Sequence, residues 1–200
     1  MMRSRIAPIA AALVSAALLL VACDARPAGG SGEPSVSGSA PASPAPTSSA
    51  SADAGPGETV RGSGYSFTVP AGWSIPSQDP TDGQVDVFVS ESADADSRYI
   101  SVVVSPGVIT AADVEADGAA SLEAVGATDV SLEDRVDIAG SESAHLVATL
   151  AQDGAETVID QYYATRDEQT FVITFASPAD TSDDDRRRLA ETVLSSWAWE

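Results

Sequence analysis

Lysine is absent from this chain, cysteine and histidine occur once each, and ten arginines face 30 acidic residues. Each shortage excludes something. A single cysteine forms no internal disulfide, so a domain folding outside the cytoplasm must rest on its hydrophobic core. A single histidine, His145, excludes a multi-histidine zinc site. A formal net charge of −20 argues against nucleic acid as a partner, because phosphates are held by Lys and Arg clusters. It equally argues against adhesion to anionic headgroups by charge. The missing lysine, beside abundant Ala, Asp, Val and Gly, reads as high-GC codon usage. No motif implies a cofactor, and no internal repeat is visible.

The lone cysteine, Cys23, closes the run Leu20-Val21-Ala22-Cys23 behind a short apolar stretch. Arg3 and Arg5 supply the positive end of a secretory signal, Ile6 to Ala22 the apolar core, and small residues precede the cut between Ala22 and Cys23. The apolar run is 17 residues, contains Pro8 and has no basic stop after it. Roughly 20 residues are needed to span the hydrocarbon core, so cleavage is the preferred reading over a transmembrane helix. The tetrapeptide resembles the bacterial lipobox, in which signal peptidase cuts before a cysteine already joined to diacylglycerol. That resemblance makes Cys23 the lipidated first residue of a mature chain held at the extracytoplasmic face of the cell membrane. Each buried methylene contributes about 0.8 kcal/mol and two acyl chains suffice for firm anchoring. Loss of Arg3 and Arg5 with the signal takes the formal charge to −22, so the lipid, not electrostatics, holds the protein to its membrane.

From Asp24 to about Val60 the composition collapses into Ser, Ala, Gly and Pro, which cannot build a core. Residues 23–60 therefore read as a lipidated tether, with a reach of roughly 35 Å as a coil and about 110 Å as extended polyproline. Ser43, Thr47, Ser48 and Ser49, beside prolines, also suit O-linked sugars. Residues 61–200 suit one domain.

Within that domain Tyr65-Ser66-Phe67-Thr68-Val69 alternates and runs into the bend Pro70-Ala71-Gly72-Trp73. Val85, Val87 and Val89 share one strand face, as do Ile100, Val102 and Val104, and the two segments read as a hairpin. Thr110 with Asp113 forms a capping box at the start of a helix whose stripe is Val114, Leu122 and Val125, ended by Gly126. After Val130–Ile138, the segments Ala144–Leu150, Thr157–Thr165 and Thr170–Ala176 read as a three-stranded meander with a turn at Asp153-Gly154. Thr181 or Ser182 caps a last helix with Asp183, Asp184 and Asp185 in its first turn, and Leu189, Val193, Leu194 and Trp197 facing inward. Strands, a helix, a meander and a closing helix predict an α+β fold with an antiparallel β-sheet flanked by helices, an α/β/α sandwich.

The segment Tyr65–Trp73, with Thr170-Phe171-Val172-Ile173-Thr174-Phe175 and Leu194-Ser195-Ser196-Trp197, resembles the PsbP-like (Mog/PsbP) superfamily, and within it actinobacterial lipoproteins of the LpqN kind. The resemblance covers about residues 62–199. It implies an antiparallel sheet flanked by helices and members that mostly bind or assist other macromolecules, with no shared catalytic motif.

The residues themselves offer little chemistry. His145 lies downstream of Ser141 and Ser143, but a Ser/His/acid triad needs a serine on a sharp exposed turn and no G-x-S-x-G run is present. A satisfied or half-exposed strand histidine is the better reading. Asp79, Asp82 and Asp86, or Asp94 and Asp96, supply carboxylates for calcium without the spacing of an EF-hand loop, and read as a solvated acidic surface. The acid-first order Asp183-Asp184-Asp185-Arg186-Arg187-Arg188 fits dipole complementation and i,i+3 pairing better than a docking patch. Trp73 and Trp199 are the candidate partner contacts, Trp199 being the more exposed by its place off the helical stripe. The sequence thus points to a lipid-anchored, non-catalytic binding or accessory module for a protein or envelope component. The alternatives are a small-molecule or lipid carrier, which needs an apolar cavity between sheet and helix, and a hydrolase, which needs His145.

Overall fold

The computed structural model describes residues 56–76, 85–92, 97–152 and 155–200. Cys23, Ala22, the signal segment and most of the tether lie outside the described residues, as do Asp79, Asp82, Asp94, Asp96 and the turn Asp153-Gly154. Among the described residues no helix is long and apolar enough to cross a membrane.

The described residues form two antiparallel sheets and two helices. The smaller sheet has the order β1-β2-β9, from β1 (Pro56–Gly62), β2 (Tyr65–Pro70) and β9 (Ala198–Trp199). The larger has the order β3-β4-β8-β7-β6-β5, from β3 (Val87–Ser90), β4 (Tyr99–Pro106), β5 (Thr128–Ile138), β6 (Ser141–Gln152), β7 (Ala155–Arg166) and β8 (Gln169–Pro178). The expected three-stranded meander is thus four strands, β5 to β8, and Tyr65–Val69 belongs to a separate sheet. The folded part also begins earlier than residue 61, because Pro56–Val60 pairs with β2 as part of β1.

The helices α1 (Ala111–Ala124) and α2 (Asp183–Leu194) lie on opposite sides of the six-stranded sheet. Both start where local chemistry dictates. Thr110 accepts from the Asp113 N–H while the Asp113 carboxylate accepts from the Thr110 N–H, a reciprocal capping box. Ser182 accepts from the Asp185 N–H, and Asp183, Asp184 and Asp185 sit where the helix dipole favours anions. Each of those aspartates takes the arginine three residues on, at 3.0 Å.

Alternation decides which side chains meet. Tyr65, Phe67 and Val69 of β2 point at the large sheet and join Val89, Ile100, Val102, Phe171, Ile173 and Phe175 with Leu189, Val193 and Trp197 in one core. Across the sheet, Ala144, Leu146, Ala148, Ile159 and Ala176 pack with Val114 and Leu122 of α1 in a second core of smaller side chains. The central strand β8 is covered on both faces, and its residues from Thr170 to Ser177 are all buried. Gly62, at the end of β1, is required by close approach: a β-carbon there would fall 2.2 Å from Tyr65 Cζ and 2.5 Å from Asp86 Oδ2.

Candidate functional site

The site forms where the α2 layer ends. Strand β5 is an edge of the six-stranded sheet, and its register against β6 slips twice, between Thr128 and Ser131 and between Glu133 and Val136. Bulges of this kind re-aim side chains at a sheet edge. α2 packs on β2 and β8 and leaves an open groove between its own flank and the outer strands. Glu133, Asp134, Val136 and Asp137 of β5 form one wall, Arg187, Glu191 and Leu194 of α2 with Ser195 the other, and His145 and Tyr162 the floor. The groove has a volume of about 480 Å³, within the roughly 300–1,000 Å³ span of ligand pockets.

The floor is braced from behind. Register places His145 of β6 opposite Tyr162 of β7, and the two rings stack with centroids 4.2 Å apart. His145 Nε2 lies 3.1 Å from Asp160 Oδ1, and Arg186 Nε donates to the other carboxylate oxygen at 3.2 Å. Arg186 also donates to Asp183 Oδ1. Asp160 is only 7% exposed, so a buried carboxylate is matched on both oxygens, which is the condition for keeping it inside. The serines near His145 are engaged elsewhere. Ser141 Oγ donates to the Thr165 carbonyl and accepts the Thr165 N–H, while Ser143 Oγ donates to the Ser141 carbonyl. Neither hydroxyl is bonded to the ring, so the groups a triad would need are not joined.

The groups facing the groove are less committed. Glu133 accepts from Ser131 Oγ, Asp137 from the Gly140 N–H, and Arg187 pairs with Asp184. The carboxylates of Asp134 and Glu191 have no hydrogen-bond or ion-pair partner among the described residues. Tyr162 is 4% exposed, and its hydroxyl likewise has no hydrogen-bond partner among the described residues. Burial pushes this phenol well above its ordinary range, and the charges of Asp160, Glu191 and Glu133 push the same way against Arg187.

The sequence-derived candidates fall elsewhere. Trp73 is 5% exposed within the first core, with the Arg98 guanidinium 5.8 Å from its ring centre, a position no partner reaches without opening the bend. Trp199 is the more exposed of the pair, as expected, but half-buried: its Nε1 donates to the Ala139 carbonyl and its ring meets Trp197 edge-on. Of the carboxylates considered for calcium, Asp86 is described, and it accepts from the Ser63 N–H and hydroxyl, pinning the β1–β2 turn. Among the described residues no cluster of three or more His, Cys, Asp or Glu suits a metal ion. Asp160, Tyr162 and Glu191 were not singled out from the sequence. The available signal was an acid, Asp160, inside the β-branched run Thr157–Thr165.

No protein-family model and no curated protein sequence matches the chain. Solved structures do. The chain is similar to cyanobacterial PsbP (CyanoP) from Synechocystis sp. PCC 6803, at 19% identity and a TM-score of 0.48, over 68% of this chain and 87% of that one. It is similar to LpqN, involved in cell envelope biogenesis of Mycobacterium tuberculosis, at 16% identity and a TM-score of 0.48, over 70% and 88%. A protein from Bacteroides thetaiotaomicron VPI-5482 matches at 13% identity and a TM-score of 0.43 over 68% of this chain, which spans 45% of that longer protein.

Proposed function

We propose that this chain is a lipid-anchored extracytoplasmic lipoprotein that acts as a non-catalytic binding module, with the groove between β5 and α2 as the surface that engages a partner protein. The observation that carries the reading is the division of polar groups at that groove. His145 in the floor and Arg186 behind it are both bonded to Asp160, whereas Asp134, Glu191 and the Tyr162 hydroxyl face the opening without partners among the described residues. Groups locked in mutual pairs position a surface; groups left open serve recognition. The anchor rests on Cys23 and its apolar approach, and the tether lets the domain reach partners at roughly 35 Å or more from the bilayer.

Two measurements test it. Cys23→Ser should leave unprocessed precursor and abolish lipid labelling; normal processing would sink the anchor. A photoreactive amino acid placed at residue 195, an exposed position lining the groove, should yield a discrete protein adduct in intact envelopes, while the same group at residue 123 on α1 should not. Equal capture from both positions, or none from residue 195, would remove the groove from consideration as the binding surface.

A further inference from the structure

We infer that the outer edge of β5 is built to refuse a further strand, its bulged backbone keeping the chain from pairing edge to edge with a second copy. Among the described residues β5 pairs with β6 alone, which makes it a sheet edge of 11 residues. A long exposed edge offers unpaired N–H and C=O groups to any extended chain, and Leu132, 48% exposed, adds an apolar side chain to it.

The backbone is the main obstacle to such pairing. Between Thr128 and Ser131 β5 advances three residues while β6, from Thr149 to Val147, advances two, and the same count recurs from Glu133 to Val136 against His145 to Ser143. Each stretch therefore holds one extra residue, which bends the strand and breaks the regular row of N–H and C=O groups. In the first stretch Asp129 stands at φ 51°, a left-handed conformation uncommon outside glycine. Charge is the lesser obstacle. Asp129, Glu133, Asp134 and Asp137 are exposed along the strand, and its one cation, Arg135, is taken by Glu115 of α1 and Glu142 of β6. Two such edges side by side would set carboxylate against carboxylate, which destabilises cross-strand pairs.

The distribution of the shifts supports a role at edges. Among the described residues they fall in β1, between Pro56 and Thr59, and in β5, both outermost strands, whereas β4–β8, β8–β7 and β7–β6 run in continuous register. The remaining edges are blunted by other means. β3 has four residues, with Ser74 bridging Ser90 from the outer side, and β9 has two.

The test straightens the edge. Deleting Asp129 and Asp134 removes one residue from each stretch; Val130 then falls opposite Ala148 and Arg135 opposite Ala144, on the α1 side where both already lie. The full chain, one copy to a detergent micelle, is read by sedimentation velocity at about 150 mM salt, where charges beyond roughly 8 Å are screened. The parent should sediment as a monomer. The deletion variant should associate at a concentration at least about tenfold below any at which the parent does, equivalent to a few cross-strand pairs. Amide exchange across residues 128–138 should slow in the associated form, placing the contact on β5. A deletion variant that is folded by circular dichroism yet sediments as the parent does would overturn the inference, as would a parent that dimerises through these same residues. Should the deletions unfold the chain, the triple variant Glu133→Gln, Asp134→Asn and Asp137→Asn decides, because it changes exposed side chains and leaves the bulges in place. It should remain monomeric; its association would show that charge alone had kept the copies apart, and would overturn the role of the bulges.

Discussion

The two ends of the layer beneath α2 are built on opposite terms. At the β2–β9 end, Tyr65, Phe67 and Trp197 stack nearly parallel, with centroids 4.5 Å and 5.3 Å from the Trp197 ring, and Phe171 closes against Tyr65 edge-on. That end is filled by buried aromatic rings. At the β5–β6 end, the same sheet face carries His145, Asp160 and Tyr162, and the helix contributes Arg186, Arg187 and Glu191 instead of Leu189 and Val193. One helix thus serves packing along one stripe and polar contacts along the next. The contrast teaches where stability and recognition are separated in this domain: the aromatic end fixes the layer, and the layer holds a polar end that packing has not closed.

The largest expected effect comes from breaking the filled end. Trp197 is 5% exposed and touches three other aromatic rings, so Trp197→Ala should destabilise the domain by about 3–5 kcal/mol in a denaturant titration. That is a large share of a typical domain's roughly 5–15 kcal/mol. A loss below about 1 kcal/mol would mean that the aromatic stack does not organise the layer.

Next comes the polar brace. Asp160→Ala leaves the Arg186 guanidinium buried with Asp183 and the Thr181 carbonyl as its remaining partners and frees the His145 ring. The expected cost is about 3 kcal/mol, accompanied by loss of the fixed Tyr162–His145 stack, visible as altered histidine ring resonances in NMR. A variant as stable as the parent would show that the brace is not structural.

A smaller effect sharpens the comparison at the filled end. Burial pushes the Asp86 carboxyl up, but the Ser63 hydroxyl and N–H bonded to it outweigh this, and its pKa settles below the ordinary carboxylate value. A carboxyl held lower in the folded state contributes stability that is present above its unfolded pKa, near about 4, and is lost as the pH falls through the folded value. Acid melts of Asp86→Asn should therefore show reduced stability at neutral pH and a shallower loss below about pH 4 than the parent. Parallel curves would assign the acid sensitivity elsewhere.

Much of the fold was legible because its signals are local. Tyr65, Phe67 and Val69 are buried on one face of β2, and Ile100 and Val102 on one face of β4, as a period of two requires. Thr110 and Ser182 cap their helices because the bonds involved span three residues. Strand β1 was hidden by composition: in Gly57–Gly62 the buried side chain is Val60, and pairing with β2 rather than apolar periodicity holds the rest extended. The β7–β8 connection was equally silent, since Asp167 and Glu168 adopt φ of 49° and 62° without a glycine to announce the turn.

The site was less readable for a physical reason. Asp160 joins His145 from 15 residues away and Arg186 from 26, and only strand register and the seating of α2 bring the three together. Nearness in sequence grouped Asp86 with Asp79 and Asp82, whereas its bonds go to Ser63, 23 residues earlier. Trp73 looked available because it follows a bend, yet the bend turns its indole into the core.

The most direct test of the division is the melting temperature of Tyr162→Phe, which removes one oxygen from the polar end and nothing from the packing. A hydroxyl held open for recognition has no bond to lose, so the variant should melt within about 1–2 °C of the parent, against a fall of roughly 10 °C or more for Trp197→Ala. A loss of about 4 °C or more in Tyr162→Phe would show that the hydroxyl is bonded within the fold, and would contradict the claim that this end is left open.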